Sequence, residues 1–381
     1  LASRGSAQVS PGYDTTTEAT HRRHDRAADN WLGSSVRDDS ARTLDLASQD
    51  IQRVPRAAFR NTPNVNTIYL SNNSISEVDV GAFEGVPELW RLDLDNNDIS
   101  SLPEGVFSPV PGLKYLFLSG NRIAELSPGH FAGITRLWGF WVYNNRAQLK
   151  LHNRTFANLP SLWEVGLSRS NIRTLPWDVF ANSTQLQQID LNDNQIEELD
   201  NSIFYGLTKL EYLTLSGNRL QTLQPAVFDE LPFLMILDLS YNRINCLSEE
   251  NMHFRGTPRV YLTNNMIQYF DPHVYNNDQG VPTFILNNNP YHCCSLLSFI
   301  QKYSNNDMKT LVIDRATCAA PARLKGTPLS QLSEDFLGDC DTTPTSSTPS
   351  PVTLTSTLRD IYFIYLFMSS IGKLTAFTSC T

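Results

Sequence analysis

The chain has 381 residues, 41% of them hydrophobic and 18% charged, with a formal net charge of −9. That composition gives it ample apolar surface to bury. An acidic balance repels phosphate backbones and so argues against nucleic acid as a general partner; the basic cluster His21-Arg22-Arg23-His24 is too short to reverse it.

Residues 1–40 form a polar leader, expected to be disordered over its first thirty residues. They contain no apolar core of the length a secretion signal needs, so either the signal has been removed or the sequence is a fragment. From residue 41 a repeat takes over. Its first copy centres on Leu44 and Leu46, and its clearest copy is Leu89-x-x-Leu92-x-Leu94-x-x-Asn97-x-Ile99. Copies beginning at Val65, Leu89, Leu113, Leu137, Leu162, Leu186, Leu210, Leu234, Thr257 and Val281 are separated by 24, 24, 24, 25, 24, 24, 24, 23 and 24 residues. Such a period signals a solenoid, in which each unit packs only on its neighbours.

Each position in the repeat has a physical role. The Leu-x-Leu core alternates with period two, as a short strand with one buried face does. An asparagine column runs through Asn73, Asn97, Asn121, Asn145, Asn194, Asn218, Asn242, Asn265 and Asn289, broken by Ser170. A carboxamide both donates and accepts, so it suits turn backbone groups that the sheet leaves unpaired. A phenylalanine column, Phe59, Phe83, Phe107, Phe131, Phe156, Phe180, Phe204 and Phe228, falls on the returning side, where large rings fill the wide space.

This frame resembles the 24-residue extracellular class of leucine-rich repeats over residues 41–340. The resemblance implies an α/β solenoid, a leucine-rich-repeat horseshoe of about ten to eleven repeats with a concave parallel sheet and short helical or irregular outer segments. The repeats are expected over 41–288 and a cysteine-rich C-terminal cap over 289–340.

The cap is carried by Asn289-Pro290-Tyr291-His292-Cys293-Cys294, followed by Cys318, Pro321, Gly326, Phe336 and Cys340. It is similar to the C-terminal cap of Slit proteins, Toll-like receptors and variable lymphocyte receptors, and the whole layout is most similar to the last of these. Here the two cysteines are adjacent, and Tyr291 stands where the family has tryptophan. The family pairing, carried over, links Cys293 with Cys318 and Cys294 with Cys340. Disulfides place the chain in an oxidising compartment; the two-to-four-residue cysteine spacing of zinc sites does not occur. Cys246, one place before the Leu247 core position, reads as a free or half-buried thiol and not a nucleophile. The family's N-terminal cap also has cysteines, whereas Leu46 stands where one is usual; that cap is either degenerate, packed on Trp31, Leu32 and Val36, or truncated.

Residues 341–381 begin with a Ser/Thr/Pro tract of the kind that forms an extended stalk. The apolar run Ile361–Met368 is too short to span a bilayer. A polar spacer before an apolar tail matches the outline of a GPI-attachment signal, which would give the chain a membrane attachment; a misassembled terminus is the other reading. Sequons at Asn72, Asn153 and Asn182 fit a secreted or cell-surface glycoprotein.

Within each strand, side chains between the buried leucines point to the concave surface. The third to sixth copies concentrate aromatics there: Trp90, Tyr115, Phe117, Trp138, Trp141, Tyr143 and Trp163. Exposed aromatic clusters are what interface hot spots are made of. The expected ligand site therefore centres on Tyr115, Phe117, Trp141 and Tyr143. Asp93, Asp95 and Glu164 rim it, and Asp190 and Tyr212 extend it. The extra residue near Arg146–Lys150, in the 25-residue copy, marks either a kink beside this patch or neutral drift. No nucleophile elbow, zinc-protease motif or phosphate loop is present, so neither catalysis nor a cofactor or metal is expected. The expected role is recognition of a protein or glycan ligand outside the cell, in innate or variable-lymphocyte-receptor-like immunity. The alternative is adhesion or guidance through a fixed host partner.

Overall fold

The computed structural model describes residues 42–248, 250–270, 282–294, 296, 311–312 and 316–332. The leader, the stalk and apolar tail, Cys340, and the packing foreseen for Trp31, Leu32 and Val36 lie outside them. No helix among the described residues is long and apolar enough to cross a membrane.

Twelve parallel strands form one sheet in strict chain order: β1 (Thr43–Asp45), β2 (Thr67–Tyr69), β3 (Arg91–Asp93), β4 (Tyr115–Phe117), β5 (Gly139–Trp141), β6 (Glu164–Gly166), β7 (Gln188–Asp190), β8 (Tyr212–Thr214), β9 (Ile236–Asp238), β10 (Arg259–Tyr261), β11 (Thr283–Ile285) and β12 (Leu311–Val312). Register is preserved from copy to copy, so Asp93, Phe117, Trp141, Gly166 and Asp190 share one rung. The middle residue of each strand from Leu92 to Phe284 is fully or almost fully buried, while its neighbours are for the most part half-exposed. This is the alternation that the Leu-x-Leu spacing requires.

The returning side is built mostly of turns, with a single short 3-10 turn, Pro128–Phe131, among the described residues of the repeats. Its phenylalanine rings pack one repeat on the next, stacked in every pair below except Phe131–Phe156, which is tilted by 52°. Phe59–Phe83, Phe83–Phe107, Phe131–Phe156, Phe156–Phe180, Phe204–Phe228 and Phe228–Phe254 lie 5.4–6.3 Å apart. Neighbouring strands lie about 4.8 Å apart. The phenylalanine side is therefore the longer one per repeat, and the stack bends with its strands on the inside.

The asparagines form the ladder foreseen for them. Asn97 is buried and donates to Leu70 and Leu94 carbonyls at 3.0 Å, while its Oδ1 accepts from Ile75 N at 2.9 Å. At the break in the column, Ser170 Oγ donates to Val142 O at 2.6 Å, and Asn194 Oδ1 accepts from both Ser170 N and Ile172 N. In the 25-residue copy, Asn145 redirects its amide to Ile123 and Ala147 carbonyls. The residue before the column has φ of 52–71° in every copy: Asn72, Asn96, Gly120, Asn144, Arg169, Asp193, Gly217, Tyr241, Asn264 and Asn288. That left-handed turn explains why Asn, Asp or Gly so often precedes the ladder residue.

At the C-terminal end Cys293 is joined to Cys318 as the family pairing implied, with Cα atoms 5.5 Å apart. Tyr291 is fully buried beside it, and its hydroxyl donates to Leu286 O. Cys294 is disulfide-bonded as well. Cys246 corrects the sequence expectation of a free or half-buried thiol: it is buried and disulfide-bonded. Its place one residue off the repeat frame concealed this, because the repeat pattern around Cys246 carries no second cysteine to signal a bond.

Candidate functional site

The nine residues singled out by the sequence, Asp93, Asp95, Tyr115, Phe117, Trp141, Tyr143, Glu164, Asp190 and Tyr212, are all half-buried on the concave sheet or just past its strands. The rings at the centre form one layer. Trp141 stacks on Phe117 at 4.5 Å and 11°, and on Tyr115 at 6.2 Å and 12°. Trp90 and Trp138 meet Tyr115 edge-on at 5.7 and 6.4 Å. Adjacent parallel strands set these distances, and aromatic pairs at such separations are mutually attractive.

Two glycines let the layer lie flat. A Cβ at Gly139 would overlap the benzo ring of Trp141, and one at Gly166 would overlap both the Tyr143 hydroxyl and the Trp141 ring. The indole therefore rests across two bare backbone positions, on its own strand and on the next. Its Nε1 donates to Glu164 Oε1 at 2.8 Å. Burial, together with the Asp190 and Glu164 carboxylates, pushes the Tyr143 phenol well above its ordinary range, so it stays a neutral donor.

The acidic rim is not uniform. Asp95 Oδ1 accepts from Ser119 N at 2.6 Å. Burial, reinforced by the neighbouring Asp93 charge, raises its pKa to about 6 against the pull of the Ser119 donors and Arg91. The Arg91 guanidinium lies over the Phe117 ring at 4.4 Å and over Tyr69 at 5.5 Å.

A recess of about 630 Å³ opens beside the ring layer, at the edge where the chain enters the strands. Tyr115, Trp141 and Glu164 line it as part of the expected centre. Phe117, Tyr143, Asp93, Asp95, Asp190 and Tyr212 do not. In their place stand Trp138, Trp163, Gln185 and Gln187. Trp138 is 50% and Trp163 37% exposed, so the rings sit at the surface and not in the core. The recess was not legible in the strand pattern because both tryptophans come one residue before their strands. Their recurrence before successive strands was the available signal.

The leucine rich repeat family pattern matches residues 39–99, 89–140, 142–196, 184–244 and 208–267. The chain belongs to the leucine-rich repeat family. Among curated proteins it is similar to leucine-rich repeat-containing protein 3 of Danio rerio, 45% identical over 49 residues. That stretch covers 13% of this chain and 18% of the relative, so the chain spans less than a fifth of that leucine-rich repeat protein. Among solved structures, Drosophila Toll in complex with Spatzle aligns at 24% identity and a TM-score of 0.57, over 77% of this chain and 48% of the other. A complex of Latrophilin 3, Unc5D and the repeats of FLRT2 aligns at 19% identity and 0.52, over 79% of this chain and 91% of the other. The LRIM1/APL1C complex aligns at 23% and 0.52, over 67% and 45%. At these identities the likeness is one of fold.

Proposed function

We propose that the chain is an extracellular or cell-surface recognition protein whose concave face, centred on the ring layer of β4–β6, binds a protein ligand. The observation that carries this reading is Trp141. It is a large ring held by stacking, by two bare glycines and by a hydrogen bond, on a rigid sheet and without burial in the core. Preordered aromatic area binds at low entropic cost. Toll, FLRT2 and LRIM1 each occur with protein partners in the structures above, which supports a protein over a glycan. The net charge of −9 disfavours nucleic acid, and among the described residues no cluster of metal-ligating side chains accompanies the site.

The disulfide end fits a cap of the Slit, Toll-like and variable-lymphocyte-receptor kind over 289–340, closing repeats over 41–288. Disulfides also suit an oxidising, extracellular setting. The asparagines of all three sequons, Asn72, Asn153 and Asn182, are exposed, as glycan carriers must be. A stalk and lipid anchor over 341–381 would complete a surface receptor in innate immunity. With a fixed host ligand, the same surface would serve adhesion or guidance.

The test is a binding array of host cell-surface proteins and microbial surface fractions, probed with the chain and with Trp141→Ala. A ligand bound by the first and lost by the second supports the reading. A ligand bound equally by both moves the site elsewhere.

A further inference from the structure

Resting on that reading of the concave face, we propose that the recess at the strand-entry edge takes the side chain of an arginine on the protein partner.

The recess is walled by Tyr115, Trp138, Trp141 and Trp163, with the Glu164 carboxylate among its lining. Ring faces carry negative electrostatic potential and attract cations held within about 6 Å of the centroid. The same cluster already uses that attraction internally: the Arg91 guanidinium lies 4.4 Å from the Phe117 centroid, and the Lys114 ammonium 5.9 Å from that of Trp138. The Trp141 indole occupies Oε1 of Glu164. Oε2 accepts from no group among the described residues and is left for an incoming donor. A guanidinium is planar and weakly hydrated, so it can stack on a ring while its fork of N–H groups meets a carboxylate. A lysine ammonium would give up more hydration for fewer directed bonds.

Charge selects the occupant further. The carboxylates Asp93, Asp95, Glu164 and Asp190 outnumber the cations Arg91 and Lys114 on this part of the face, so its field favours a further cation. A neutral sugar would stack on the same rings but gain nothing from that field. At about 630 Å³ the recess falls within the size range of ligand sites, and it has room for the arginine with its flanking peptide.

The probe is a blocked Gly-Arg-Gly tripeptide, with its citrulline analogue and a trisaccharide of N-acetylglucosamine as comparators. The readout is the indole N–H signals of the full chain, assigned through Trp138→Phe and Trp163→Phe. The arginine peptide should shift the Trp138, Trp141 and Trp163 signals saturably, and the citrulline peptide should bind at least fivefold more weakly. Glu164→Gln, nearly isosteric and at a half-exposed position, should abolish that difference. Lys114→Ala, which removes a competing cation, should tighten arginine binding. Equal binding of the arginine and citrulline peptides, or no shift at all, overturns the proposal. So does a response to the trisaccharide alone, which would make the recess a sugar site. Because a small peptide reads the recess directly, these failures do not decide the larger reading, which is tested separately by whether Trp141→Ala spares partner binding.

Discussion

The Trp141 indole reaches one strand along the solenoid and donates to Glu164 Oε1 at 2.8 Å. The bond couples two neighbouring repeats through their exposed faces, independently of the leucine core beneath. It fixes the direction of a ring that Phe117 holds by stacking at 4.5 Å. A ring already fixed has little rotamer freedom left to lose when a partner covers it.

Removal of that ring should therefore separate binding from folding. Trp141→Ala is expected to weaken partner binding by about 2 kcal/mol or more, roughly 30-fold. Its unfolding free energy should stay within about 1 kcal/mol of the parent, because the lost contacts lie on the surface. Surface plasmon resonance and urea denaturation of the same preparation check both halves. A large drop in the urea midpoint would make the ring structural.

Gly166 offers the complementary test, since it changes the shelf and not the ring. A valine suits a strand, but its Cβ would displace both Tyr143 and Trp141. Gly166→Val should cost at least tenfold in affinity while leaving the far-ultraviolet dichroism and the thermal midpoint nearly unchanged. Full affinity in this variant would show that the flat ring layer is not what the partner reads.

The period alone was enough to place Trp141 on the concave face, because one residue in register fixes every equivalent residue. The asparagine and phenylalanine columns were legible for the same reason, and their hydrogen bonds and stacking follow from that placement. Features that depend on rotamers or on distant pairing were not legible. Gly139 carries no side chain to count, yet it decides how the Trp141 indole lies. The tilt of the rings moved the recess toward Trp138 and Trp163 and away from Phe117 and Tyr143. Cys246 sits off the frame, and no neighbouring cysteine announces the bond it makes.

The ladder makes a quantitative prediction, because the chain carries its own control. Asn121 is fully buried; its Nδ2 donates to Leu94 and Leu118 carbonyls at 3.0 and 2.9 Å, and its Oδ1 accepts from Ile99 N at 3.1 Å. Alanine would leave these backbone groups unpaired at about 1–3 kcal/mol each, so Asn121→Ala should destabilise by roughly 3 kcal/mol or more. Asn121→Ser should cost clearly less, because Ser170 shows a hydroxyl serving a carbonyl at this position. Guanidinium denaturation of the two variants ranks them; the reverse order would contradict the ladder's energetic role.

Asp95 links the site to pH. Burial and the Asp93 charge hold its pKa at about 6 in the folded chain, above the 3.8 of an ordinary aspartate. Between those values the folded chain holds a proton that the unfolded chain has released. The resulting contribution to stability is fully present below about pH 4 and is lost as the pH rises through 6. Asp95→Asn keeps an acceptor for the Ser119 N–H and cannot ionise. The stability of the variant relative to the parent should therefore rise between pH 4 and 6 and level off above 7. Binding should run the opposite way in the parent. Above pH 6 the ionised Asp95 adds to the Asp93 charge, so affinity for a basic partner should increase from pH 5 to 7, and Asp95→Asn should flatten that increase. Thermal midpoints and dissociation constants across pH 4–8 measure both curves. Parallel stability curves for parent and variant would mean that Asp95 titrates as an ordinary surface carboxylate, and the pH-dependent rim would then have to be abandoned.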